Sequence, residues 1–290
     1  MLKLWADKLT FISKVVNGAS VARKIVRYGS VGFLFSLMPM VAFPQSGGLT
    51  NSIEMAKKTV APIVCFVRDA STGTQLIRFR IMGTVFMVDQ TGTFVTADHV
   101  ITEMLNPPLK DACKSAISFP IGGWKRDPQT NVKWFSFDPG GCQINNASDV
   151  AVCRTTDDLS RQQGISFDVA TISGERPQDG TAIFFTGFPL QATDPITSIG
   201  SVAGYPAEES YSTVMIDKNA WPGASGSPIY LSDGKTLIGM ITRTGSGDAA
   251  GLSFGIGGVK ISAILASARA NWEEQKKKQH GTLSPPATQP

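Results

Sequence analysis

Residues 223–231 read Gly-Ala-Ser-Gly-Ser-Pro-Ile-Tyr-Leu, a serine among small residues followed at once by a short apolar run. Glycines on both sides of Ser225 allow tight turns and leave backbone N–H groups unshielded. A nucleophilic serine needs such a place, because its hydroxyl must be exposed and two amides must face the oxyanion that forms. We expect the amides of Gly223 and Ser225 to be those donors. The same residues also fit an ordinary Gly-Ser loop.

Short β-like runs rich in Val, Ile, Phe and Thr recur on both sides of this stretch. They are separated by Gly, Pro, Asn and Asp, and the chain of 290 residues has 29 Gly and 17 Pro. This pattern predicts an all-β sandwich or barrel and disfavours a helical bundle or a parallel βαβ sheet. Only residues 261–275 have the apolar spacing of a helix. The predicted strands are 60–68, 76–88, 92–97, 131–137, 150–154, 181–188, 198–204, 213–217, 228–231, 237–242 and 252–259.

A serine hydroxyl is a poor nucleophile near neutral pH and needs a base, which is usually a histidine. The chain has two histidines. His280 lies in a charged and then Pro-rich tail that we expect to be disordered. His99, at the end of a β run, is therefore the candidate base, although a histidine at a strand end can also be purely structural.

A base histidine needs a carboxylate that fixes its tautomer and stabilises its charged form. Asp149 leads directly into the apolar run Val-Ala-Val and is the candidate. Asp98, beside His99, is the rival. Adjacent side chains on an extended chain point to opposite faces, so Asp98 is poorly placed to reach the ring.

Together, these three sites resemble the trypsin-like (chymotrypsin-fold) serine peptidases. Thr-Ala-Asp-His-Val surrounds His99, Ser-Asp-Val-Ala-Val carries Asp149, and Gly-Ala-Ser-Gly-Ser-Pro carries Ser225. Their order and their separations of 50 and 76 residues are also similar to that family. The resemblance spans about residues 55–262, and the local wording is closest to bacterial stand-alone and HtrA-like protease domains.

This resemblance implies an all-β fold of two six-stranded antiparallel Greek-key barrels, with the active site between them and a short C-terminal helix. Residues 53–165 would form the first barrel, with the histidine and aspartate, and residues 166–262 the second, with the serine. Residues 1–52 would hold a basic leader, an apolar segment and a linker, and residues 263–290 the C-terminal helix and a disordered tail.

The implied function is hydrolysis of peptide bonds in protein or peptide substrates through an acyl-enzyme intermediate, with no cofactor and no metal. The alternatives are a catalytically inactive binding protein on the same fold and a non-peptidase hydrolase such as an esterase. The family's aspartate just before the serine is replaced here by Ala224. We therefore expect activity without the zymogen cleavage that such an aspartate serves.

In this family the sixth residue before the serine floors the primary substrate pocket, and that residue is Asn219 here. An asparagine does not support a strong Arg or Lys preference, although Asp217 could still turn inward. Thr242 and Arg243 would belong to the pocket wall, where Arg243 either favours acidic side chains or is simply solvated. We expect small or apolar residues to be accepted at the cleavage site.

Charge is concentrated at the N-terminus. Residues 1–30 carry a net charge of +5, and the rest of the chain carries −1, so the basic balance is no evidence for nucleic-acid binding. Residues 31–43 are mostly apolar and follow this basic stretch, as in a secretory signal. We expect export to the periplasm or the extracellular space. An uncleaved membrane anchor through residues 31–43, or a transit peptide, is the alternative, and any membrane contact would be made there.

The four cysteines are an even number in a chain expected to be exported, which favours one or two disulfides. Three full pairings are possible, and four buried free thiols are the alternative. The sequence does not indicate an oligomeric state. The cysteines are Cys65, Cys113, Cys142 and Cys153.

Overall fold

The structure is a computed structural model that describes residues 47–69, 76–121, 124, 131–206 and 212–281. The predicted leader and the apolar segment 31–43 lie outside these residues. Within the described ranges, no helix is long and apolar enough to cross a membrane. Its helices are α1 (Gly47–Lys57), α2 (Asp98–Leu105), α3 (Leu109–Ala112) and α4 (Gly258–Gly281). Its strands are β1 (Val60–Asp69), β2 (Leu76–Met87), β3 (Thr93–Thr96), β4 (Cys113–Pro120), β5 (Val132–Ser136), β6 (Gln143–Asn145), β7 (Val150–Arg154), β8 (Thr171–Ile172), β9 (Ala182–Gly187), β10 (Ile196–Gly204), β11 (Thr213–Ile216), β12 (Pro228–Leu231), β13 (Thr236–Thr244) and β14 (Ser253–Gly257).

The strands form two sheets of seven. The first sheet has the order β5-β4-β1-β2-β3-β7-β6, and an isolated bridge between Phe137 and Thr155 joins the ends of β5 and β7. The second has the order β12-β9-β10-β11-β14-β13-β8, and β12 also pairs with β13. Each sheet therefore curls into a ring of six strands with one short strand outside it. The predicted two-barrel fold is confirmed, with β6 and the parallel strand β8 as additions.

The barrels share apolar packing because strands at their boundary are buried on both faces. In β9 the side chains of Ile183 and Phe185 point into the core of the second barrel. Phe184, between them, joins the larger core of the first barrel and stacks on Tyr230. This alternation is the two-residue period of a strand.

Two terminal helices cross from one barrel to the other. Helix α1 precedes the first barrel but contacts the second, where Gly234 lies so close to Ser52 that a side chain would not fit. Helix α4 follows the second barrel, contacts its strands β8, β13 and β14, and continues onto the first barrel. There Trp272 lies against the guanidinium of Arg154, 3.7 Å from the ring centre, and Arg269 donates to the carbonyl of Val88. Each barrel is thus braced by the opposite end of the described chain.

The sequence prediction misses several elements. Residues 47–52, expected to be linker, begin helix α1, and helix α4 continues to residue 281 through a segment expected to be partly disordered. Helices α2 and α3 and strand β4 were not predicted either. The rest of the predicted tail, 282–290, lies outside the described residues.

All four cysteines are paired. Cys65 of β1 is bonded to Cys113 of β4, with their Cα atoms 5.2 Å apart, and Cys142 is bonded to Cys153 of β7, with their Cα atoms 4.4 Å apart. This is one of the three full pairings that the sequence left open. The second disulfide closes the segment that contains Asp149.

Candidate active site

His99 is placed by the junction of β3 and α2. Strand β3 is buried along its whole length, and Ala97 ends it in an extended conformation before the helix begins at Asp98. In this first helical turn the neighbours Asp98 and Val100 point inward, whereas the side chain of His99 is 49% exposed. The imidazole therefore lies at the surface of the first barrel, on a rigid support.

The carboxylate of Asp149 is hydrogen-bonded to this imidazole. Its Oδ2 lies 2.8 Å and its Oδ1 3.0 Å from Nδ1 of His99, and Oδ1 also accepts the backbone N–H of His99 at 2.9 Å. A carboxylate only accepts, so Nδ1 carries the proton and Nε2 is left as the basic nitrogen. The same aspartate thus sets both the tautomer of the ring and the position of its backbone.

The backbone of Asp149 is left-handed, with φ 50° and ψ 47°. A short 3₁₀ turn precedes it, in which the side chain of Asn145 accepts the N–H of Ser148 at 3.1 Å. Left-handed geometry is uncommon in residues other than glycine and, among those, is most readily adopted by Asn and Asp. The turn therefore holds the carboxylate toward His99 at some conformational cost, which is typical of functional sites.

The pKa of His99 is raised above its ordinary value of 6.5. The main cause is the hydrogen bond to Asp149, which stabilises the imidazolium. Burial opposes the shift, and the charges of Asp149, Asp98 and Glu103 add to it. The ring is therefore a stronger base than a solvated histidine.

Asp98, the rival partner, is not the carboxylate of this pair. Its side chain is buried, and its Oδ1 accepts the hydroxyl of Thr102 at 2.8 Å within helix α2. The preference for Asp149 agrees with the geometry, but the physical reason differs from the predicted one. Residues 98 and 99 diverge because they occupy the first turn of a helix, not an extended strand.

The serine loop is held against the first barrel. Ser225 accepts the N–H of Thr84 on its carbonyl at 2.9 Å. A Cβ placed on Gly83 would lie 3.1 Å from that carbonyl and 2.8 Å from Val100, the residue after His99. Ser225 and the histidine segment therefore flank the same point of β2, and both sit at the boundary of the two barrels.

Among the described residues, two backbone amides of this loop have no acceptor. The amides of Ala224, Gly226 and Ser227 donate to carbonyls at 2.8–2.9 Å, whereas those of Gly223 and Ser225 donate to none in the described part of the chain. Gly223 has φ +92°, and a Cβ there would lie 2.5 Å from the carbonyl of Phe188, so only glycine fits. The amide of Ser225 itself and that of Gly223, two positions earlier, together form an oxyanion-binding arrangement.

The family described as the trypsin-like peptidase domain matches residues 83–240 of the chain, more than half of its length. The chain belongs to this family. The crystal structure of Deg5 is similar at 18% sequence identity, with a TM-score of 0.52, and the match covers 75% of this chain and 90% of that one. At this identity the likeness shows the shared fold. Among curated proteins none matches.

The predicted trypsin-like serine peptidase is thus confirmed at the level of family and fold. Membership of the family makes the protein a serine-type endopeptidase, a hydrolase of protein or peptide substrates. The matched residues 83–240 include all three candidate triad positions.

In this peptidase, Asn219 lies in a braced segment. The hydroxyl of Ser253 accepts the N–H of Ala220 and donates to the carbonyl of Lys218, both at 2.7 Å. The hydroxyl of Thr244 donates to the carbonyl of Ala220 at 2.7 Å. Oδ1 of Asn219 is buried and has no hydrogen-bond partner among the described residues.

Thr242 and Arg243 lie beside the aspartate. Both line a cavity of about 390 Å³ that Asp149 also lines and that Asn219 does not. The guanidinium of Arg243 lies 4.8 Å from the centre of the Phe254 ring, and Asp217 is exposed to solvent. The Thr244–Ala220 hydrogen bond joins the segment of Arg243 to that of Asn219, so their shared pocket stays a prediction.

Sequence reasoning missed the residues that hold the peptidase's serine loop. The hydroxyl of Thr84 donates to the carbonyl of Gly223 and accepts the N–H of Phe188, each at 3.0 Å. The side chain of Gln191 binds both backbone groups of Ile81. These contacts join residues more than 100 positions apart, so no local pattern marks them.

Proposed function

We propose that the protein cleaves peptide bonds through His99, Asp149 and Ser225. The observation that carries this proposal is that the carboxylate of Asp149 accepts two hydrogen bonds from His99, one from Nδ1 and one from the backbone N–H. A structural histidine at a strand end would not require a strained left-handed aspartate to hold it in this way. The raised pKa of His99 and the two free amides beside Ser225 support the same interpretation.

In the proposed reaction, Nε2 of His99 takes the proton of the Ser225 hydroxyl while Oγ attacks the carbonyl carbon of the substrate. The amides of Gly223 and Ser225 stabilise the negative charge that develops on the carbonyl oxygen. His99 then gives the proton to the leaving amine, and the C–N bond breaks. Water, with His99 again as base, hydrolyses the acyl-enzyme and restores Ser225.

Ala224 supports activity without zymogen cleavage. Its side chain is buried among the apolar residues of the second barrel core, so the position needs no cation as a partner. The amides that would form the oxyanion site make no hydrogen bond to a carbonyl in the described part of the chain. Intact protein is therefore expected to be active, and activity that appears only after nicking by trypsin would contradict this.

The proposed preference of the substrate pocket rests on two side chains, those of Asn219 and Arg243. The buried, unpaired Oδ1 of Asn219 offers an acceptor without full charge, which does not favour Arg or Lys at the cleavage site. Arg243 lines the cavity beside Asp149 and places positive charge there. We expect small or apolar residues at the cleavage site, and a digest of a peptide library would map them.

Export is proposed from the basic residues 1–30 and the apolar residues 31–43. The two disulfides favour an oxidising compartment, where such bonds persist. Fractionation of cells that make the full chain, followed by mass spectrometry of its N-terminus, separates a cleaved signal from a retained anchor.

A fluorophosphonate probe tests the triad directly, because it forms a bond only with an activated serine. We expect intact protein to be labelled at Ser225 and the Ser225→Ala variant to remain unlabelled. Ser267→Ala, at an exposed position on helix α4, is the matched control and should be labelled like the parent. Folded parent protein that is not labelled would instead be the inactive binding protein.

A second measurement distinguishes a peptidase from an esterase. Unfolded casein, which has no carboxylic ester to cleave, reports peptide hydrolysis, and p-nitrophenyl acetate reports ester hydrolysis. We expect casein to be cleaved and Asp149→Asn to lower kcat by roughly 10⁴-fold, the loss that follows when the histidine takes the wrong tautomer. Hydrolysis of the ester alone would contradict peptidase activity.

A further inference from the structure

The turn Pro189–Gln191 has an unusual backbone. Leu190 has φ 54° and ψ 35°, and Gln191 has φ 63°, so two consecutive residues other than glycine are left-handed. Left-handed geometry brings Cβ close to a carbonyl oxygen and is normally a single-residue event. A turn of this kind persists only where its surroundings hold it.

The side chain of Leu190 does not stabilise this backbone conformation by packing. Leu190 is 62% exposed. The carboxamide of Gln191 instead binds β2 as a strand would. Its Oε1 accepts the N–H of Ile81 at 2.8 Å, and its Nε2 donates to the carbonyl of Ile81 at 2.8 Å. Both bonds are made to a strand of the first barrel, and Ile81 itself is buried there.

The turn Pro189–Gln191 also fixes the peptide bond between Pro222 and Gly223 in the serine loop. The N–H of Leu190 donates to the carbonyl of Pro222 at 2.7 Å. In a trans peptide the carbonyl and the following N–H point in opposite directions. A Pro222 carbonyl held by Leu190 therefore turns the N–H of Gly223 away from the turn and leaves it free to bind the oxyanion.

We propose that Gln191 is a positioning residue for the oxyanion site. It couples β2 to the turn, the turn to the carbonyl of Pro222, and that carbonyl to the N–H of Gly223. This inference rests on the proposed function, since it assigns the amide of Gly223 to the oxyanion. It predicts that removing the Gln191 carboxamide impairs the reaction of bound substrate more than the binding of substrate.

The test compares Gln191→Met and Gln191→Gly with the parent, in the full chain. Methionine keeps the length of the side chain without its hydrogen bonds, and glycine removes the carboxamide while relieving the left-handed backbone. Gln90→Met is the matched control, because Gln90 is an exposed glutamine in a turn away from the cleft. Rates are measured on unfolded casein and then on the best-cleaved peptide from its digest.

We expect kcat to fall roughly 10- to 100-fold in both Gln191 variants, short of the 10²–10³-fold loss that follows removal of an oxyanion donor. KM should stay within about twofold, because the site acts on the transition state. A peptide aldehyde of the same sequence forms an adduct whose oxygen occupies the oxyanion site, so its Ki should weaken in parallel with kcat. The corresponding peptide amide should bind unchanged, and Gln90→Met should match the parent in every measurement.

Unchanged kcat in the Gln191 variants, with an active parent, would overturn this inference alone. A loss of folded protein that matches the loss of activity in both variants would also overturn it, by making Gln191 a residue of fold stability. A parent that neither labels with fluorophosphonate nor cleaves casein would overturn the proposed function and this inference together.

Discussion

The disulfide Cys142–Cys153 closes a loop with a sequence separation of 11, and this loop carries Asp149. Closing a loop restricts the unfolded chain, by an amount that grows with the logarithm of the loop length. For this loop the entropy corresponds to about 2.8 kcal/mol at 25 °C. The disulfide Cys65–Cys113, with a separation of 48, corresponds to about 4.1 kcal/mol. The double variant Cys142→Ala/Cys153→Ala should therefore lose less stability than Cys65→Ala/Cys113→Ala.

The shorter disulfide should affect stability more than activity. Three pairs of β6 and β7 lie between it and the aspartate, namely Gln143 with Val152, Ile144 with Ala151 and Asn145 with Val150. These pairs and the 3₁₀ turn hold Asp149 in place when the covalent bond is removed. We expect kcat of the folded variant to remain within about threefold of the parent.

Urea unfolding followed by fluorescence measures the free energy of unfolding of the parent and of both variants, and casein hydrolysis measures kcat. Mass spectrometry of an unreduced digest first establishes which cysteines are paired. A variant lacking Cys142–Cys153 that is less stable than the one lacking Cys65–Cys113 would refute the loop-length reasoning. A large fall in kcat at full folding would show that the disulfide itself positions the carboxylate.

Three further predictions concern the base, the inter-barrel contact and the C-terminal helix. The acidic limb of kcat/KM should lie above pH 6.5, because His99 must be neutral to act and its pKa is raised. Glu103→Gln should move that limb toward lower pH and Glu54→Gln should not; equal profiles would contradict the electrostatic cause. Any stability that His99 adds through this shift is present below pH 6.5 and is lost as the pH rises through its folded pKa. Thr84→Val leaves the carbonyl of Gly223 and the N–H of Phe188 unpaired and should cost about 2 kcal/mol or more, measured by urea unfolding; an unchanged midpoint would contradict the bridging role. Trp272→Ala should cost about 3–5 kcal/mol, because the indole is buried against the first barrel; a loss below 1 kcal/mol in thermal unfolding would mean that α4 is not part of the core.

The fold was predictable where side chains alternate or form continuous apolar runs. The prediction 150–154 coincides with β7, and 228–231 coincides with β12. Strand β4 was missed because its first half, from Cys113, is polar and partly exposed, and only its second half is buried. Its place is set by pairing with β1, which lies nearly 50 residues earlier.

The helices illustrate a different limit. Helix α1 is short and rich in small and polar residues, so its sequence shows little helical periodicity, and its packing on the second barrel stabilises it. Helix α2 begins just after a buried strand, within the motif Thr-Ala-Asp-His-Val, which the sequence analysis treated as extended. Tertiary contacts, which local propensity does not contain, decide both cases.

The candidate site divides in the same way. His99, Asp149 and Ser225 could be found because each stands in a short motif and because the chain has few histidines. Thr84 and Gln191 could not, since a threonine in a strand and a glutamine in a loop are ordinary until the chain folds. Chemistry needs particular residue types, whereas support needs only a donor or acceptor at the right place.

The crossing of the terminal helices has a consequence for synthesis. A chain made from its amino terminus releases the first barrel from the ribosome long before helix α4, which covers that barrel through Trp272 and Arg269. Helix α1 in turn waits for the second barrel before its contact surface exists. The contacts of each barrel with the opposite helix therefore form only after the later part of the chain has been made, so we expect them to be among the last tertiary contacts of the nascent chain.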